Sequence, residues 1–203
     1  MSKRQLKVYI DTEFIEIPLS DKSLGNFAIT PISVGCFIPE QTVNEPKVWE
    51  ISHHYTCLSS LEGIDNQWIK ENVIPKLDYN FTRGLVLNRF NSETVSSIQP
   101  SSLFYEIQRR YLIDEFLIIS DISGSDSCVF RQFFGGYFEL EKIAPIDTID
   151  LYSIAYARGI LDEVKKYRAL LVDEKYIHNA LFDAWLVYKI DEEFQLTPTI
   201  SHA

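Results

Sequence analysis

The sequence predicts an α/β fold, a mixed central sheet flanked by helices, and three observations predict it. Strand-like alternation dominates the N-terminal part of the chain, strands and helical spacings alternate from about Phe116 onward, and 46% apolar residues over 203 positions suffice for a core. A chain of this size buries roughly 70% of the surface that its unfolded form exposes, so one domain over residues 1–203 is expected and a disordered chain is excluded.

Lys7 to Glu13 reads as the first strand, with Val8 and Ile10 on one face and Tyr9, Asp11 and Glu13 on the other. Pro18 to Asn26 reads as a polar turn. Ile32 to Ile38 and Val48 to Thr56 read as two more strands, so that an antiparallel meander opens the chain. Asn66 to Asn72 and the residues that follow read as a short helix stopped at Pro75. The Ser- and Asn-rich stretch Asp78 to Gln99 reads as a loop or insertion. The spacing of Leu103, Ile107 and Tyr111 predicts a helix from Ser102 to about Glu115, and Phe116 to Ser120 is a short buried strand. Ser123-Gly124-Ser125 reads as a break before a helix over Asp126 to Phe134, which Gly135-Gly136 stops. Pro145 to Ile149 is then a strand, Leu151 to Arg158 a helix, and Ala180 to Ile190 a final helix that is apolar nearly all round.

Nineteen basic against twenty-nine acidic side chains give a net charge of −10, which excludes a broad electrostatic hold on duplex nucleic acid and leaves only local, metal-assisted contact. Cys36, Cys57 and Cys128 form no C-x-x-C pair, so neither a disulfide framework nor a zinc clip is expected. The apolar stretch after the basic start ends at Asp11, too early for an export signal, and no run approaches the ~18 residues of a membrane span. A soluble, cytoplasmic protein is the expectation.

Chemistry concentrates at the two ends of the chain. Asp11-Thr12-Glu13 places two carboxylates on one strand face about 7 Å apart, where like charges repel unless a cation lies between them. A solvated strand end gives the same tripeptide. In His178-Asn179-Ala180-Leu181-Phe182-Asp183, Asn179 is the natural helix cap, which puts Asp183 one turn in, amid Leu181, Phe182, Trp185 and Leu186. A carboxylate there needs an arginine partner or a coordinated cation.

Taken together, Asp11-x-Glu13 on the first strand and His178-x-Ala180-x-x-Asp183 on the last helix resemble the DEDDh exonucleases of the ribonuclease H-like fold. More narrowly, Asp11 to Glu16, Ile32 to Gly35, Trp68 to Leu77 and Asp126 to Gly135 are similar to the ribonuclease T-like 3′-to-5′ exoribonuclease branch. The resemblance calls for a fourth carboxylate from the middle of the chain, and Asp126, at a helix start carrying Val129, Phe130, Phe133 and Phe134, is preferred to Asp121. It implies that Asp11, Glu13, Asp126 and Asp183 hold two divalent cations, Mg²⁺ or Mn²⁺, whose charge the four carboxylates cancel. Such cations, about 4 Å apart, clamp the oxygens of an in-line displacement at phosphorus. It also implies that His178 is the general base, with activity rising through pH ~6 to 8, and that Phe14 and Ile15 stack on the substrate's terminal bases.

The implied activity is hydrolysis of the terminal phosphodiester of single-stranded nucleic acid, RNA in the first place, to nucleoside 5′-monophosphates, by a homodimer. The competing readings are a 3′-to-5′ DNA exonuclease and a catalytically silent nucleic-acid-binding domain. Arg109-Arg110, Arg131, Arg158 and Lys165-Lys166-Tyr167-Arg168 are phosphate contacts or solvated faces. By the same resemblance Asp147 to Leu151 is a strand-to-helix turn with a capping role, and His53-His54 stay unassigned.

Overall fold

A computed structural model describes residues 5–18, 27–39, 51–56, 66–76, 86–89, 108, 112–133 and 146–198. Its strands are β1 (Gln5–Pro18), β2 (Phe27–Ile38), β3 (Ile51–Thr56), β4 (Val86–Arg89), β5 (Glu115–Ser120) and β6 (Ile146–Asp150). Among the described residues they form one mixed sheet in the order β4-β3-β2-β1-β5-β6. The meander β1-β2-β3 is antiparallel, while β5 pairs parallel with both β1 and β6. All six residues of β5 are buried, as expected of a strand flanked on both edges and covered on both faces. The helices are α1 (Gln67–Asn72), α2 (Ser123–Phe133), α3 (Leu151–Ala157), α4 (Leu161–Leu171) and α5 (Ala180–Phe194).

Period-2 alternation sorts β1 as the sequence predicts. Tyr9 joins Leu117 and Ile119 in a core with Leu151 and Ala155 of α3, Val164 of α4, and Ala184, Val187 and Ile190 of α5. Each Leu, Ile and Val among them contributes about 1.5–3 kcal/mol on burial. Asp11 and Glu13 extend the same face beyond this core.

Two contacts fix α5 along β1. Near its C-terminal end, buried Asp191 accepts hydrogen bonds from the Tyr9 hydroxyl at 2.6 Å and the Thr197 backbone N–H at 2.8 Å, and pairs with Lys7 Nζ at 3.3 Å. At its N-terminal end, α5 lies directly on Gly35 of β2, where an added Cβ would stand 2.2 Å from the Ala180 carbonyl oxygen. Gly35 is the β2 partner of Asp11, so the close approach delivers the start of α5 to the first carboxylate.

Several boundaries differ from the sequence reading. β1 and β2 are longer than expected, and Pro18 is a strand residue paired with Phe27; residues 19–26 of the expected turn lie outside the described residues. The stretch expected as a loop contains β4, a four-residue strand paired parallel with β3 and too short to leave a periodic signal. The helix expected to reach Glu115 has already ended at Leu112, whose φ of 55° is left-handed, with Ile113 N–H bonded to the Gln108 carbonyl; Glu115 opens β5 instead. Most of that helix lies outside the described residues, as do Cys57, Arg109 and Arg110.

The expected break at Ser123-Gly124-Ser125 is the first turn of α2, because the Asp150 carboxylate accepts from the Ser123 N–H at 3.0 Å, a cap supplied from another strand. The same Asp150 caps α3 through the Ser153 N–H at 2.7 Å, the role expected of it. Helix α4 has no counterpart in the sequence reading, and α5 runs four residues past Ile190 to a left-handed Gln195. His53 and His54 sit on β3 opposite Cys36 and Gly35. Cys36 is buried and Cys128 exposed, and neither is in a disulfide among the described residues. No helix among the described residues is long and apolar enough to cross a membrane.

Candidate metal centre

Three parts of the chain end at one place. Asp11 and Glu13 arrive on β1, Asp121 and Asp126 from the junction of β5 and α2, and Asp183 from the first turn of α5. Asn179 builds that turn: its side-chain oxygen accepts from the N–H groups of Leu181 and Phe182 at 3.2 Å, and its amide donates to the Lys76 carbonyl at 2.7 Å. His178 precedes the cap with φ 66°, a left-handed conformation that few residues other than glycine adopt and that histidine, asparagine and aspartate enter more readily than most. Its backbone N–H donates to Asp183 Oδ2 at 2.9 Å, which aims that carboxylate back toward the sheet. On the other side, the Thr12 hydroxyl donates to Asp126 Oδ1 at 2.7 Å.

The result is two triads that share Asp11. Oxygens of Asp11, Glu13 and Asp183 lie within 4.8 Å of one another, and so do oxygens of Asp11, Asp121 and Asp126. Asp121, Asp126 and Asp183 are each less than a tenth exposed. The four carboxylates named by the sequence are therefore brought together, with Asp121 beside them and not excluded in favour of Asp126.

The His178 ring is at the rim, with Nδ1 3.9 Å from Glu13 Oε1 and the ring edge-on to Trp68 at 4.9 Å between centroids. Ile15 packs against Ile32, Ile69 and Val73, so its side chain is engaged in a small core, whereas Phe14 is half-buried beyond a register shift in β1. Arg158 donates to the Gln195 and Leu196 carbonyls and thus serves the end of α5.

A cation that the sequence placed among surface candidates is built into this site. Arg168 of α4 reaches Asp121 Oδ2 at 3.4 Å through Nη1 and Asp183 Oδ1 at 3.5 Å through Nη2, and its charge also acts on the neighbouring Tyr152 hydroxyl. The signal that finds it is helical spacing: Leu161, Val164, Arg168 and Leu171 fall on one face of α4, and Val164 is fully buried.

Burial and mutual repulsion leave the carboxyls unusually reluctant to ionise. Burial first, then the charge of Asp183, holds Asp11 well above the usual carboxylate range and pushes Glu13 up to about 9. Burial outweighs the Thr12 hydrogen bond to push Asp126 up to about 7, and outweighs the Arg168 charge to push Asp183 up to about 6. Asp191, equally buried, goes the other way: hydrogen bonds from Thr197 and Tyr9 overcome its burial and hold it below its ordinary value. What separates the two cases is the balance of donors and positive charge: Thr12, the His178 N–H and Arg168 serve five mutually repelling carboxyls, too few to offset their burial, and a divalent cation would supply the missing charge. The donor set is all carboxylate oxygen, which suits hard Mg²⁺ or Mn²⁺ and not zinc. The Ser33 hydroxyl, buried without a hydrogen-bond partner, stands across from Glu13 on β2.

A stability profile follows from these shifts. Carboxyls raised in the folded state bind protons that the unfolded chain has released, so their contribution is complete below about pH 4 and is lost as pH rises through about 6 to 9. In EDTA, Tm is expected to fall between pH 5 and 9, and saturating Mn²⁺ to remove most of that slope. Equal slopes with and without Mn²⁺ would contradict this electrostatic picture.

No family profile matches the chain, and no curated protein is significantly similar to it in sequence.

Proposed function

We propose that the chain is a 3′-to-5′ exonuclease of the DEDDh type with a ribonuclease H-like fold, hydrolysing the terminal phosphodiester of single-stranded RNA to release nucleoside 5′-monophosphates. One observation carries the reading: carboxylates distant in sequence, Asp11 and Glu13 against Asp183, converge within 4.8 Å with a half-buried histidine beside them. A mixed sheet with helices packed on it is the architecture this reading requires.

Asp11, Glu13, Asp126 and Asp183 would hold two Mg²⁺ or Mn²⁺ ions, which supply Lewis-acid polarisation at phosphorus and neutralise the incoming phosphate. The chain's own residues do the rest. With Nδ1 turned toward Glu13, His178 has Nε2 left to take the proton of the attacking water. Trp68 packs edge-on against the same ring and limits its rotation.

Burial, then the charges of Lys76 and Arg168, pulls the His178 pKa below its ordinary 6.5. The base is therefore neutral at pH 7. The ascending, acid-side limb of the rate profile is expected below pH 6.5, lower than the range of 6 to 8 that an unperturbed histidine implies. A rate that still climbs tenfold per pH unit above 7 would contradict a histidine base in this environment.

The activity test uses a 5′-labelled single-stranded RNA and its DNA counterpart with Mn²⁺. The proposal expects a ladder shortening one nucleotide at a time from the 3′ end, faster on RNA and abolished by EDTA. Faster shortening of DNA would point to a DNA exonuclease. Binding of both strands without shortening would identify a silent binding domain.

A further inference from the structure

The metal centre holds one carboxylate too many for two divalent cations and one cation that the two-metal arrangement does not use. Asp11, Glu13, Asp121, Asp126 and Asp183 carry five negative charges, and Arg168 reaches in from α4 with one positive charge. Five against one leaves four, the charge that two divalent cations cancel. We infer that Arg168 and Asp121 are a built-in ion pair, in which Arg168 neutralises Asp121 and orients Asp183, so that Asp121 is a positioning residue and four carboxylates remain for the cations.

The geometry favours this division. Arg168 Nη1 is 3.4 Å from Asp121, while Nη2 is 3.5 Å from Asp183, so a single planar guanidinium spans the second triad and the first. Asp126 is already oriented by Thr12, and Asp183 by the His178 N–H. Asp121 has the guanidinium as its charged partner, and its backbone carbonyl accepts from Tyr152 N–H at the start of α3. Arg168 is itself anchored: its Nε is buried without a hydrogen-bond partner among the described residues, so packing and its two charge contacts place the group. A fixed cation close to two cation sites would lower their affinity, and a fixed anion would raise it; paired, the two effects offset each other.

The inference rests on the two-cation reading, and its test reads metal binding and not turnover. Mn²⁺ is titrated by calorimetry into the wild type, Arg168→Met, Arg168→Lys, Asp121→Asn and the double variant Arg168→Met/Asp121→Asn. The wild type is expected to take two Mn²⁺. Arg168→Met is expected to bind Mn²⁺ about tenfold more tightly, and Asp121→Asn about tenfold more weakly with two ions still bound. The double variant is expected within about threefold of the wild type, as is Arg168→Lys, which keeps the charge. A merely structural contact would weaken binding in both single variants and more so in the double. Loss of one Mn²⁺ in Asp121→Asn, unrestored in the double variant, would make Asp121 a ligand and overturn the inference. Where Arg168→Met does not fold, the double variant and Arg168→Lys carry the same decision. A wild type that binds no Mn²⁺ refutes the two-cation reading itself, a result distinct from any of these.

Discussion

Gly35→Ala is expected to lower stability by about 3 kcal/mol or more, to lower Tm by about 6–12 °C, and to reduce turnover at least about 100-fold at temperatures where the variant is folded. The added methyl would meet three backbone atoms, Ala180 O at 2.2 Å, Ala180 C at 2.3 Å and Leu181 N at 2.4 Å, none of which can rotate away as a side chain can. The α5 N-terminus must therefore move off the sheet, and Asp183 moves with it, away from Asp11 and Glu13. Thermal denaturation and single-turnover kinetics measure the two effects separately. A variant with wild-type Tm and rate would mean that α5 does not rest on Gly35, and the juxtaposition of the two motifs would fall with it.

The second large effect concerns the base. His178→Asn is expected to lower the rate of the chemical step about 10²- to 10⁴-fold while leaving Mn²⁺ affinity within about threefold. Asparagine is chosen because position 178 has φ 66°, which asparagine tolerates better than alanine does. The backbone N–H that orients Asp183 survives the change, so the metal ligands keep their geometry. Single-turnover rates at saturating RNA, paired with Mn²⁺ calorimetry, separate the roles. A variant with more than a third of the wild-type rate would remove His178 from the chemistry.

The parts of this site legible in the sequence are those in which a local rule coincides with the tertiary role. Period-2 geometry puts Asp11 and Glu13 on one face whether or not the strand is buried, and Asn179 caps α5 by its own side chain. Arg168 is different. It sits in Lys165-Lys166-Tyr167-Arg168, a run that reads as a solvated face, and Lys165 and Lys166 are indeed exposed. Only the turn of α4 that buries Val164 swings Arg168 inward, and the helix itself is easy to overlook because Ile160, at its N-cap, makes no side-chain cap. The first turn of α2 is hidden for a related reason. The cap on Ser123 comes from Asp150, 27 residues later, and no local pattern announces it.

The capping pair Asn179 and Asp150 also explains why the middle of the site is sound although the polar stretch before β5 carries little signal. Each fixes a helix start at the carboxyl-rich end of the sheet, and the rest of the helix is held by the core of Tyr9, Leu117, Ile119, Val187 and Ile190. Sequence distance is then irrelevant: residues 11 and 183 meet because β1 and α5 share that core.

The most direct measurement is anomalous diffraction at the manganese edge from crystals soaked in Mn²⁺. Two peaks are expected, one among Asp11, Glu13 and Asp183 and one beside Asp11 and Asp126, with Asp121 still paired to Arg168. Occupied manganese sites elsewhere on the molecule, with none among these carboxylates, would contradict the account.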